Sequence, residues 1–221
     1  MNINHHPSDE LLLDYAAGSL REGWSIAIAT HLALCPHCRN QVDVMESIGG
    51  CMLDNIESPS TAGQGYDDLL HRLEGLPQEA PAAAGTVSEK TGDRPVFPEP
   101  LRGYLGCDLD SVRWQRLGRG AYQVLVPTQE NDSVVRLLRI PAGRPVPAHT
   151  HGGLELTVVL QGAFSDATGE YGRGDIQEAD ETLQHQPHAA PGADCICLAV
   201  TDAPLQFNSL VVRMLQPILN I

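Results

Sequence analysis

The sequence predicts an α + β chain of two parts. A small helical bundle comes first and a closed antiparallel β-barrel follows. Three observations carry this. Residues 8–75 place apolar side chains at helical spacing. From about residue 101 the chain breaks into short segments rich in Val, Leu and Ile, with Gly, Pro and Asp between them, the pattern of a sandwich or barrel. Between these parts, residues 76–100 hold five prolines, two glycines and four alanines, a composition that suits a linker. The expected divisions are therefore 1–75, 76–100 and 101–221. Within the linker "PVFPEP" is apolar enough to lie across a domain instead.

The first helix is expected to start at Ser8, an N-cap residue, with Asp9 and Glu10 in its first turn, where the helix dipole favours acids. Leu11, Leu12, Tyr15 and Ala16 share its apolar face, and Gly18 can end it. A second helix runs from about Arg21 to Leu34. A third begins near Pro36 and turns Val42, Met45 and Ile48 inward. "YDDLLHRLEG" reads as a short fourth. The β segments are "YQVLVP", "SVVRLLRIP", "LELTVVLQG" and "DCICLAV".

Charge and composition narrow the function. Of 221 residues, 42% are hydrophobic, enough for a packed core, and the net charge is −14. Such a surface repels phosphates, which excludes direct nucleic-acid binding, and suits a basic partner. Residues 1–75 hold 11 acids and 3 basic residues, so the helical part is the more acidic per residue. No apolar run approaches the roughly 20 residues of a membrane span. The N-terminus has no basic or hydrophobic region of a signal peptide. A cytoplasmic protein is expected, with its six cysteines mostly reduced and a close pair more suited to metal than to a disulfide.

"THLALCPHC" holds the first candidate metal site. His31 and Cys35 are four apart, on one face of a helix, and Cys38 follows where Pro36 allows a break. Zinc takes such N and S ligands in a tetrahedron. The fourth ligand is expected among His5, His6 and His37. His37 lies inside the CxxC turn, where its ring tends to point away. Spacing alone hardly separates His5 from His6.

The second candidate site is "GRPVPAHTHGGLELTVVLQG". His149 and His151 are two apart, so on a strand they point to one side, and the Gly152–Gly153 bend lets Glu155 join them. Two imidazoles and a carboxylate suit zinc, iron, manganese, nickel or copper. Further on, "GRGDIQEADETLQHQPHA" supplies His185, with His188 as a flanking polar residue.

Both stretches resemble known families. "HHPSDELLLDYAAGSLREG" followed by "THLALCPHC" resembles the zinc-binding domain of ChrR-type anti-sigma factors, over about residues 4–50. That resemblance implies His6 as the fourth ligand, beside His31, Cys35 and Cys38. It also implies a helical domain that clamps an extracytoplasmic-function sigma factor as a 1:1 complex and suffices to inhibit it. Gly143, His149, His151, Glu155 and Gly162 match every fixed position of the first cupin motif. Gly174 and His185 fit the second, while Asp180, Thr182 and Ala189 depart from its Pro, Gly and Asn. The implied cupin metal ligands are His149, His151, Glu155 and His185, holding zinc or another divalent transition metal. In ChrR-type proteins the resemblance implies that the cupin part serves the response to singlet oxygen and related oxidants. No catalytic residue is identified: Glu170, Tyr171 and Glu178 read as surface or strand residues. The alternative is a metal-dependent cupin dioxygenase or isomerase with an accessory zinc domain. Cys195 and Cys197 read as core residues of a strand rather than a redox pair. Cys51, Cys107 and His71 carry no assigned role. Asp175, Glu178, Asp180 and Glu181 read as a charged loop.

Overall fold

A computed structural model describes residues 2–57, 65–75, 95–117, 120–130, 132–204 and 206–207. Most of the expected linker, residues 76–94, lies outside them. The helices are α1 (Asp9–Ala16), α2 (Glu22–Leu34), α3 (Pro36–Asp54), α4 (Tyr66–Glu74) and α5 (Glu99–Leu105). The strands are β1 (Gln115–Leu117), β2 (Ala121–Leu125), β3 (Val134–Ile140), β4 (His149–Thr150), β5 (Glu155–Gln161), β6 (Ala163–Asp166), β7 (Gly169–Gly172), β8 (Ile176–Ala179), β9 (His188–Ala189), β10 (Cys195–Thr201) and β11 (Gln206–Phe207). Helices thus precede an antiparallel β structure, as the sequence pattern predicts.

A six-stranded sheet runs β1-β2-β3-β10-β5-β8, facing a three-stranded β7-β6-β9 and a β11-β4 pair. Its register decides which side chains point inward. Arg136 lies opposite Ala199, Ala199 opposite Thr157, and Thr157 opposite Gln177. Residues directly opposite share a face. This row, with Glu155 two residues from Thr157, forms the barrel interior. The alternate residues Leu137, Leu198, Val200, Leu156 and Val158 form the outer face, and all are fully buried.

What buries that outer face is α2. Eight of its thirteen residues are buried, so it is apolar nearly all round, as a helix covered on several sides must be. It packs on β5, β10, α1 and α5. One compact unit accordingly comprises residues 1–49 and 95–221, and a second comprises 50–94. In packing, α1, α2 and the start of α3 share one core with the sheet. Phe97 and Leu101 enter it at 1% and 0% exposure, so "PVFPEP" lies across the fold.

Two helix details differ from the sequence pattern. Ser8 holds the N-cap position without a side-chain cap bond; instead its backbone N–H donates to the Glu178 carboxylate. On α3, Val42 is buried and Met45 packs on the core, but Ile48 is 58% exposed, because core contacts of this helix end at Met45. The apolar periodicity continues past the buried part, and periodicity alone does not say what covers a face.

At Gly23, α2 lies tightly against Ser133 and Val135 at the start of β3. A Cβ there would stand 2.3 Å from Ser133 Oγ and 2.9 Å from Val135 Cγ2. Gly23→Ala gains about 1 kcal/mol of helix propensity but overpacks at about 1–3 kcal/mol. The expected result is a net loss of stability, read as a lowered midpoint in thermal unfolding. An unchanged or raised midpoint would show that the contact relaxes freely.

Candidate metal centres

The first centre is assembled from three chain pieces. The tail before α1 brings His6, the last turn of α2 brings His31, and the α2–α3 junction brings Cys35 and Cys38. Their ligand atoms all lie within 4.8 Å of one another. Cys38 Sγ is 3.3 Å from both His31 Nε2 and His6 Nδ1, and Cys35 Sγ is 3.5 Å from His6 Nδ1. A tetrahedron with Zn–S near 2.3 Å and Zn–N near 2.05 Å puts neighbouring ligand atoms roughly 3.3–3.8 Å apart, so the set fits that ion.

Protonation agrees. His31 Nδ1 lies 2.8 Å from the Gly174 carbonyl, which can only accept, so the ring carries its proton on Nδ1 and turns a lone pair on Nε2 toward Cys38. Burial, only partly opposed by that hydrogen bond, pulls His31 down to about 4 and keeps it neutral. Burial, then the Cys35 thiol beside it, pushes the Cys38 thiol up to about 12. A thiolate there requires a cation.

Of the other candidates, His5 turns away: its ring packs 4.2 Å from that of Tyr171. His37 is exposed. The fold brings His6 to the group.

The tail that carries His6 is held by the turn before β8. Asp175, 2% exposed, accepts the backbone N–H groups of Asn4 (2.7 Å) and His5 (3.0 Å) on one oxygen, and of Gly172 (2.7 Å) on the other. Ile176 N–H donates to His5 O. The carboxylate read as part of a charged loop is therefore a buried anchor. Gly174, at φ +92°, leaves room for Ile3, whose Cδ1 a Cβ would meet at 2.6 Å.

The second centre lies inside the barrel. His149 and His151 flank the end of β4, and a β-bridge with His149 brings His185 alongside. His185 Nε2 is 3.1 Å from both His149 Nε2 and His151 Nε2. His149 Nδ1–H donates to Pro147 O (2.8 Å), and His185 Nδ1–H to Asp166 Oδ2 (2.7 Å). With each Nδ1 committed outward, both rings turn Nε2 toward the centre of the group, where one cation could be shared. Burial lowers both His149 and His151, the latter to about 4. The donor set fits a divalent transition metal.

Glu155 lies outside this three-histidine group. Its Oε1 accepts from Thr157 Oγ1 (2.9 Å), and its Oε2 is 3.6 Å from His151 Nδ1. Burial raises it above the usual carboxylate range. His188 is exposed, with its Nδ1 on Gln186 O. Cys195 and Cys197 are buried with the Phe164 and Tyr171 cluster, their Sγ atoms 3.4 Å apart.

Asp166 carries no motif signal, yet it positions His185. Burial alone would raise it, but hydrogen bonds from Thr168, Gln177 and His185 hold it at about 2. Gln177 Nε2 reaches it at 2.8 Å. Only the fold, which sets β6 beside β9, reveals this role.

Sheet order, motif spacing and the converging imidazoles define a cupin barrel preceded by helices that build a His/Cys centre. The family model described as the ChrR cupin-like domain matches residues 103–204. The anti-sigma-E factor ChrR of Cereibacter sphaeroides is 44% identical over 221 residues, all of both chains. The chain belongs to the ChrR family of anti-sigma factors. Among solved structures, Rhodobacter sphaeroides SigE in complex with the anti-sigma ChrR matches with a TM-score of 0.77 and 42% identity, covering 91% of this chain and 100% of that one.

Asp166→Ala removes the acceptor on His185 Nδ1. The expected outcome is a 10–100-fold loss of affinity for a divalent metal at the three-histidine centre, measured by chelator competition. Unchanged affinity would deny Asp166 its positioning role.

Proposed function

We propose that this chain binds and inhibits an extracytoplasmic-function sigma factor as a 1:1 complex, and releases it in response to singlet oxygen or related oxidative stress. The observation that carries the reading is the exposed apolar side chains on two helices, each taken by itself. On α3, Val44, Ile48 and Met52 recur every fourth residue, 58–68% exposed, followed by Leu53 and Ile56. On α4, Tyr66, Leu69, Leu70 and Leu73 follow helical spacing, all exposed. Such faces in an acidic segment suit a partner with apolar grooves and basic rims. The relative that matches over its whole length is an anti-sigma-E factor, and its solved homologue is bound to a sigma factor. That likeness favours a regulator over a cupin dioxygenase or isomerase.

In this reading His6, His31, Cys35 and Cys38 hold a structural zinc ion that fixes the tail, α2 and α3. His149, His151, His185 and, after a small rotation of its side chain, Glu155 hold a second divalent metal in the sensing part. Residues 1–75 form the inhibitory part and 101–221 the cupin part, acting in the cytoplasm. No helix among the described residues is long and apolar enough to cross a membrane.

Co-expression with the sigma factor encoded beside it is the direct test, followed by purification and transcription assay. A stable complex that silences sigma-dependent transcription is expected; its absence sinks the reading. Met52→Glu and Leu69→Glu each remove an interface anchor, where losses of about 2 kcal/mol or more are usual. Affinity should fall about thirtyfold or more, read by surface plasmon resonance.

The two centres should separate by variant. Cys38→Ala should lose one zinc per chain and weaken the complex. His149→Ala and His151→Ala should keep inhibition and lose oxidant-triggered release. Loss of inhibition in the His149 and His151 variants would refute the division of labour.

A further inference from the structure

The barrel interior holds a cation that neither metal centre uses. Arg136, on β3, is 8% exposed and faces inward in one row with Ala199, Thr157 and Gln177. Its Nη1 makes one long bond, 3.4 Å, to Gln123 Oε1, and its Nε is buried without an acceptor. Glu155 interacts with it electrostatically, but no ion pair within 4 Å joins Arg136 to a carboxylate among the described residues. A guanidinium out of water ordinarily has its fork of donors filled.

We propose that the barrel interior binds one small monocarboxylate, received by the Arg136 guanidinium beside the three-histidine centre. This rests on the reading that His149, His151 and His185 hold a divalent cation. With that cation present, it and Arg136 outweigh Glu155 and Asp166 by a single positive charge. One monoanion balances the interior, and a dianion would overshoot. The planar fork of an arginine matches a carboxylate with two parallel N–H···O bonds. On the same row the strand between Arg136 and Thr157 carries only the small side chain of Ala199.

The test uses the full chain loaded with metal, its content measured first by elemental analysis. Acetate, lactate and pyruvate are titrated by calorimetry, with acetamide and lactamide as neutral controls. The expected result is saturable binding of one carboxylate per chain, no binding of the amides, and loss of binding when the barrel metal is stripped. Arg136→Gln should keep its metal and lose at least tenfold in affinity, while Arg136→Lys, a point charge, should lose less. The acid-against-amide comparison in the unaltered chain decides the matter even if the variants misfold. On a fully loaded chain, absent saturation, equal binding of amides, or full affinity in Arg136→Gln overturns this inference alone. A chain that takes up no metal at the three histidines overturns the inference and the metal reading together.

Discussion

The hydrogen bond from His31 Nδ1 to the Gly174 carbonyl is the constraint on which both halves of the architecture turn. It is 2.8 Å long and wholly buried. It sets the tautomer of one residue of the His/Cys group in a helix, and its acceptor belongs to the turn that enters a barrel strand. That turn is itself fixed. Gly174 N–H donates to Val159 O and Val159 N–H donates to Asp175 O, which ties it to β5. Asp175 then seizes the tail that delivers His6. The helical centre is therefore closed partly by barrel backbone. An acceptor lost there would strand a buried imidazole N–H, at about 1–3 kcal/mol, and free the ring to rotate.

How much of this could be read beforehand depends on whether a signal is local. HxxxCxxC and HxH are spacings within one or two elements, so periodicity alone places those side chains together, whereas Glu155, four residues on, stays outside the histidine group. His6 and His5 are adjacent residues on an extended tail, and only the pairing of His5 O with Ile176 N–H decides which ring faces the cysteines. Asp166 and Asp175 act through contacts 19 and 170 residues away in sequence, where no spacing rule reaches. Composition alone leaves open whether such a segment connects or packs, and it is the fold that decides for "PVFPEP": Phe97 lies among prolines yet is 1% exposed. The uniform apolarity of α2 was legible as a helix, but its meaning, burial on several sides, required the sheet.

The barrel interior is costly in a way the outer face is not. Gln123, Arg136, Glu155, Thr157, Gln177 and Thr201 are all at or below 8% exposure, beside three buried imidazoles. Taking such groups out of water without full pairing costs several kcal/mol for a charge. The outer face of the same strands is Leu, Val and Ile and carries the stability. One sheet thus divides its work by side-chain parity: odd positions of β5 from Glu155 to Val159 look into the polar interior, and even positions look onto α2.

The same parity sets how near the two centres come in sequence. Gly174 orients His31, and Gln177, three residues on, supports Asp166 and through it His185. Between them Asp175 holds the tail and Glu178 accepts the Ser8 N–H at the start of α1. A displacement of β8 cannot be confined to the barrel, because every residue from Gly174 to Glu178 except Ile176 places a side chain or carbonyl on a partner in one centre or its supports, and Ile176 gives its N–H to His5. On the helical side the next covalent step from His31 is Cys35, Cys38 and then α3, whose exposed face begins at Val44. The four His and Cys residues thus occupy the junction between the strand that enters the barrel and the helix that presents the apolar stripe, where three chain pieces meet.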